Sequence, residues 1–251
     1  MATGRTVNKW TRVYIAGYDM SGFTRAIGPL EETFDEADLT TIADAGKGFL
    51  PNQGHIKVGT LNGVFDPVTA GLHDLKTLPN ERTLLIAVGI RAAPAQGDPT
   101  FNAVQQQLAY QASEEGGAIV VTLPFSEWSG EAVSRAYSRA WGVLLHALAA
   151  ETVVNSAAGV DGSAATLLGG YMGYQVTAGN GTATLKVQDS ADNAIWADLS
   201  GATTGVLDMT VRRGAIVAIG NTATVRQYLR WQIVFGTATS VTFSMSFVRG
   251  K

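Results

Sequence analysis

Cysteine is absent from the 251 residues, which excludes disulfide staples and thiolate metal sites. It leaves the redox compartment open, since cytosolic and extracellular chains both occur without cysteine. Charge is also scarce: Asp, Glu, Lys and Arg make up 16% of the chain, against roughly 25% in a typical soluble domain. A surface so poor in charge is expected either to be covered by neighbours or, in a compact monomer, to carry a coat of Thr, Ser and Asn. The net charge of -3 and a pI near 5.6 provide no basic stripe for nucleic acid or an anionic membrane. No stretch approaches the ~20 apolar residues of a membrane span, and Met1 to Asn8 lacks the apolar core of a secretion signal. The chain is therefore expected to be soluble and made in the cytoplasm, with any extracellular destination reached by lysis or a dedicated machine.

Signatures of chemistry are missing as well. The three histidines, His55, His73 and His146, lie far apart, with no HExxH and no pair at metal-ligand spacing. There is no GxSxG elbow, no GxxxxGK[ST] phosphate loop and no strand-GxGxxG-helix unit. No catalysis, cofactor or metal is expected, and substitution of Glu127, Glu131 or Asp189 should cost no activity. Asp189 and Asp192, with Asp198 nearby, form an oxygen-rich loop of the kind that holds calcium. The mid-loop glycine and terminal glutamate of an EF-hand are missing, and a solvated turn in which Asp and Asn bond their own backbone is the competing reading. Asn180-Gly181-Thr182 matches the glycosylation sequon as a short, common pattern.

What is abundant is glycine, 29 residues, punctuating short runs rich in Val, Ile, Thr and aromatics, which is a strand-and-turn pattern. Val225, Gln227, Leu229, Trp231, Ile233 and Phe235 alternate with Arg226, Tyr228, Arg230, Gln232 and Val234, and after Gly236 to Ser240 the alternation resumes with Val241, Phe243, Met245 and Phe247 opposed to Thr242, Ser244 and Ser246. These two runs read as a hairpin with one buried and one wet face. Gly179-Asn180-Gly181 marks a second hairpin between Tyr171–Thr177 and Thr182–Gln188. Further strands are expected at Arg12–Ala16, Phe23–Ile27, His55–Leu61, Thr83–Gly89 and Ala118–Pro124. One helix is expected after Asp66 as N-cap and Pro67 at the first helical position, with Val68, Leu72, Leu75 and Leu78 at helical spacing. Ser129 to Ala150 reads as a short helix followed by a strand. The fold class is mainly β: an antiparallel β-sandwich with one flanking helix over 1–154, and a C-terminal β-sandwich over 155–251.

Glu31, Glu32, Asp35, Glu36 and Asp38 place five carboxylates in eight positions. They repel one another and are not expected to be buried together. They read as a solvated loop or sheet face, or as a surface that faces a polyanion and must not bind it.

Val13-Tyr14-Ile15-Ala16-Gly17-Tyr18-Asp19-Met20-Ser21-Gly22-Phe23-Thr24-Arg25, the acidic stretch, Gly48-Phe49-Leu50-Pro51 and Leu61-Asn62-Gly63-Val64-Phe65-Asp66 resemble the opening of tail tube proteins of long-tailed bacteriophages. Arg91 to Pro99, Gly142 to His146 and the ending from Val225 onward also look like that group. The resemblance implies a virion structural protein of the tail, made in the host bacterial cytoplasm, whose subunits form stacked hexameric rings around a DNA-conducting lumen. It implies as partners further copies of the chain, the tail tip, tape measure and terminator proteins, and passing DNA without specific binding, with no membrane. It makes Glu31, Glu32, Asp35, Glu36 and Asp38 candidates for lumen-facing or inter-ring charge. It also implies that a long loop from about Glu32 to Gly54, ordered on assembly, and the N-terminal arm reach neighbours, and that the domain after about residue 155 sits outside the tube. The alternative is a phage decoration or tail-tip protein whose terminal sandwich presents Trp196, Tyr228 and Trp231 to a carbohydrate.

Overall fold

Alternation of β-branched and polar residues is met throughout by antiparallel strands. The computed structural model describes residues 8–38, 49–68, 71–77, 81–90, 92–127, 140–155 and 158–250. In chain order the strands are β1 (Thr11–Ile15), β2 (Tyr18–Asp19), β3 (Thr24–Asp38), β4 (Phe49–Val64), β5 (Glu81–Val88), β6 (Pro99–Gln107), β7 (Gln111–Glu115), β8 (Ala118–Glu127) and β9 (Trp141–Glu151). There follow β10 (Val160–Asp161), β11 (Gly170–Gly179), β12 (Thr182–Ser190), β13 (Ala197–Thr203), β14 (Leu207–Asp208), β15 (Arg213–Ile219), β16 (Tyr228–Phe235) and β17 (Val241–Arg249). One long path of pairing runs β15-β11-β17-β9-β6-β5-β1-β2, with β8 branching from β6 and carrying β4, β3 and β7. A separate sheet has the order β10-β16-β12-β13, with β14 on the edge of β12.

Two sandwich cores result. In the first, Val13 and Ile15 of β1, Leu84 and Ile86 of β5, and Phe101 and Ala103 of β6 pack on Ile56, Val58 and Leu61 of β4 and Val121, Leu123 and Phe125 of β8. The helix expected after Asp66 is a six-residue 3-10 segment, Leu72–Thr77. The Asp66 carboxylate accepts from the Val68 N–H at 2.9 Å, and Leu72 and Leu75 plug the first core. Arg82, itself buried, donates to the Leu75 carbonyl at 2.6 Å and holds that segment in place. In the second core, Met172, Tyr174 and Val176 of β11 and Phe243, Met245 and Phe247 of β17 face Leu185 and Val187 of β12 and Leu229, Trp231 and Ile233 of β16.

Both C-terminal hairpins expected from the sequence are arches instead. β16 pairs with β10 and β12, whereas β17 pairs with β9 and β11, so Gly236–Ser240 carries the chain from one sheet to the other. Gly179-Asn180-Gly181 does the same between β11 and β12. Alternation reports which face of a strand is buried and not whether its successor lies beside it or across the core. The face of β17 expected to be wet is covered too: Ser244 donates to the His146 carbonyl at 3.0 Å and Ser246 to Asn102 Oδ1 at 2.5 Å, both serines being fully buried.

The buried residues of the first core precede residue 155 and those of the second follow it except Leu145, with Val143 also packed against the second core, while one sheet runs through both. β9, the last strand before residue 155, pairs with β17 along Val241↔Glu151 to Phe247↔Val143 and with β6 along Pro99↔Val143 to Phe101↔Trp141. The strand expected within Ser129–Ala150 is therefore β9, while the short helix before it lies outside the described residues. The long sheet also curls until its ends touch. The buried Gln175 of β11 accepts from the Gly17 N–H at 2.6 Å and donates to the Thr83 carbonyl at 3.1 Å. Gly17, at φ +86°, has no room for a Cβ, which would lie 2.2 Å from the Arg213 nitrogen. Replacing Gln175 with Ala leaves a buried N–H without an acceptor and is expected to cost about 1–3 kcal/mol. That loss would appear as a lower urea midpoint at unchanged slope; a midpoint equal to that of the unmodified chain would contradict the clasp.

Candidate functional site

The acidic run lies on a strand, not in a loop. β3 and β4 pair from Thr24↔Gly63 out to Asp38↔Phe49, so most of the expected Glu32–Gly54 loop is a twisted two-stranded ribbon and only 39–48 lies outside the described residues. β4 pairs with β8 only through Thr60–Val64. Beyond that, among the described residues, neither edge of the ribbon has a strand partner, and no described side chain from 31–38 joins a core.

Side chains of the body grip the ribbon where it leaves. Gln105 of β6, fully buried, accepts from the Val58 N–H at 3.0 Å and donates to the Ile56 carbonyl at 2.9 Å, standing in for the missing strand on the edge of β4. One Glu127 oxygen accepts from the Ile56 N–H at 3.4 Å and the other lies 2.7 Å from His55 Nδ1. His55 Nε2 is 3.0 Å from Asp35 Oδ2. The imidazole, about a third exposed, thus bridges β3 and β8 through two carboxylates. Their hydrogen bonds, that of Asp35 first, lift its pKa to about 9. Glu32 accepts from the Ala140 N–H at 2.9 Å, and Glu31 sits opposite Lys57 in register. Of the five acidic candidates, Glu32 and Asp35 are thus drawn into contacts at the ribbon's foot. Glu36 pairs with Pro51 and Asp38 with Phe49, both near the distal end.

Sequence reasoning missed Gln105 and the bridging role of His55. Gln105 follows Phe101 and Ala103 at strand spacing, which places an amide on an apolar stripe. That was the available signal for a plugged sheet edge. No pattern signals that Glu127 and His55, 72 residues apart, meet.

The remaining candidates are occupied by structure. Asp192 accepts from the Ala194 and Ile195 N–H groups and from Ser190 Oγ, each at 2.9 Å, which holds its carboxyl near pKa 2. Asp189 accepts from the Arg226 N–H at 2.9 Å, and Asp198 pairs with Lys186 at 2.7 Å. The three carboxylates serve separate partners, as in a turn that bonds its own backbone. Trp231 is 4% exposed and packs edge-on to His146 and Phe243, so it offers no ring to a sugar; Trp196 lies under the Arg230 guanidinium, 4.4 Å away. His146 is bonded to the Phe243 carbonyl and Glu151, and His73 to Tyr110 and Lys76. A cleft of about 240 Å³ at the mouth of the second core is lined by Pro99, Trp141, Val160, Leu229, Phe247 and Arg249 among others. It contains no nucleophile or general base, and the Arg249 guanidinium is turned to the carbonyls of Val225, Arg226 and Gln227.

No family model and no curated protein matches the chain. Among solved structures, the Dit protein of SPP1, described as a paradigm of the hub adsorption apparatus in phages that infect Gram-positive bacteria, is similar. It is 9% identical over 94% of this chain and 98% of that chain, with a TM-score of 0.29. So loose an overlap leaves function to be argued from the residues.

The raised pKa of His55 has a defined sign. The folded state holds the proton more tightly than the unfolded chain, so the stabilisation is complete below about pH 6.5 and is lost as pH rises through about 9. In an NMR titration the His55 ring should show a midpoint near 9 that falls in Glu127→Gln; a midpoint at the ordinary 6.5 in the unmodified chain would sink the bridge.

Proposed function

We propose that this chain is a non-catalytic structural subunit of a phage tail, the major subunit of its tube, assembling with copies of itself into stacked hexameric rings around a DNA-conducting lumen. The observation that carries the reading is the β3–β4 ribbon. It projects beyond either core with no further strand partner along its edges among the described residues, while its foot is fixed by Gln105, His55 and Glu127. Unpaired edges are templates for another chain, and closure into a ring stops their growth. The residues that resemble tail tube proteins, Val13 to Arg25, form β1, β2 and the start of this ribbon. The low charge of the chain suits a surface largely covered by neighbours. Glu31, Glu32, Asp35, Glu36 and Asp38 give the ribbon a negative character that lets a polyanion pass without sticking. In this reading the second sandwich faces outward, and the tail tip, tape measure and terminator proteins meet the ends of the tube.

Negative-stain microscopy of the concentrated protein, alone and with a tail-tip initiator complex, should show tubes or rings of constant repeat. Replacing 36–51 with a short Gly-Ser turn should abolish them while the far-ultraviolet circular dichroism and thermal midpoint of the free chain stay near those of the unmodified protein, because the removed arm supplies no described core side chain. Globular monomers under every condition would overturn the proposal, as would undiminished tubes from the shortened chain.

A further inference from the structure

Asparagine followed by glycine is chemically fragile. With no side chain to obstruct it, the glycine nitrogen attacks the asparagine Cγ, a C–N bond forms, and the amide nitrogen leaves as ammonia with the proton from the glycine N–H. Water then opens the resulting succinimide at either carbonyl, giving aspartate or isoaspartate. Asn180-Gly181 is such a pair, exposed at the tip of the arch from β11 to β12.

The fold holds this pair in an unreactive geometry. Asn180 Oδ1 accepts from the Thr239 N–H at 2.8 Å and the Ser240 N–H at 3.3 Å, and Nδ2 donates to Thr239 Oγ1 at 2.8 Å. The amide is thereby turned toward the second arch, Gly236–Ser240, and not toward its own glycine nitrogen. The backbone on either side is pinned as well. The Asn180 N–H donates to the Ser240 carbonyl, the Gly181 carbonyl accepts from Met209, and the Thr182 N–H donates to Thr237 Oγ1 at 2.9 Å. Gly181 sits at φ +58°, where an added Cβ would lie 2.6 Å from Thr237 backbone carbon. Cyclisation requires the Asn180 amide to release all three of its bonds to the second arch and swing back toward Gly181, in a corner whose backbone the neighbouring bonds hold in place.

We propose that Asn180 is a fold-gated deamidation site, silent while the arches are locked and reactive once they separate. Isoaspartate would insert an extra backbone methylene into a corner with no slack, so each conversion leaves a permanent mark on a chain whose sandwich has opened at that end. The gate is independent of whatever the protein assembles into.

The test is peptide mapping with isoaspartate resolved, after incubation at mildly alkaline pH, of the native chain, the chain unfolded in urea, and the variants Thr239→Ala and Thr237→Ala. Three hydrogen bonds of ordinary net strength predict native conversion at Asn180 slower than in urea by more than about tenfold. Each variant should speed the native reaction severalfold and leave the urea rate unchanged, with circular dichroism confirming that it is folded. Equal rates in native and unfolded chain would overturn the proposal, and so would variants that fold but convert no faster than the parent.

Discussion

The pairing of β17 with β9 is the constraint on which the molecule depends. A strand contributed from the end of the chain completes a sheet begun near its start. β17 is buried on both faces: Phe243, Met245 and Phe247 enter the second core, and Ser244 and Ser246 are bonded on the reverse. Without β17, β9 would present unpaired N–H and carbonyl groups along an interior edge, at a cost comparable to one lost hydrogen bond for each. The Gln175 clasp is a second expression of the same rule, because it supplies an acceptor to a turn that no strand can reach. The two cores are distinct in composition, yet they share a backbone lattice.

That lattice decides what the sequence could and could not reveal. The alternation in β16 and β17 is plain because alternate residues of each enter the second core, while β1 and β5 read as short apolar runs because both their faces are buried, and the mainly antiparallel β class follows from these patterns. The arches were not legible, since Trp231 and Phe243 present the same pattern whether they are neighbours in a sheet or face each other across 5.5 Å of core. The long loop was misjudged for a related reason. Residues 31–38 alternate weakly because none of their described side chains is buried in a core, so the periodicity that marks a strand is missing where no core imposes it. Gln105 shows the converse, a polar residue on an apolar stripe that reads as an error until the backbone groups it serves are seen.

The proposed function rests on the contrast between body and ribbon. In the body, side chains stand in where no strand reaches: Gln175 takes the Gly17 N–H and Gln105 bonds the edge of β4. Outside Thr60–Val64 the β3–β4 ribbon has no further strand partner among the described residues, and a two-stranded ribbon alone in water is marginally stable. A buried amide and a doubly bonded histidine anchor this arm at its foot and fix its direction.

Native-state hydrogen exchange on the free chain tests this account most directly, because it reads seam and ribbon together. Amides of 143–151 and 241–249 should exchange only through global opening, at a rate shared by the slowest amides of β5 and β12, while those of 33–38 should exchange far faster. Separate global rates for the two cores, or a seam that opens ahead of either, would contradict the shared sheet. Protection of the ribbon equal to that of the body in the free chain would contradict the open arm.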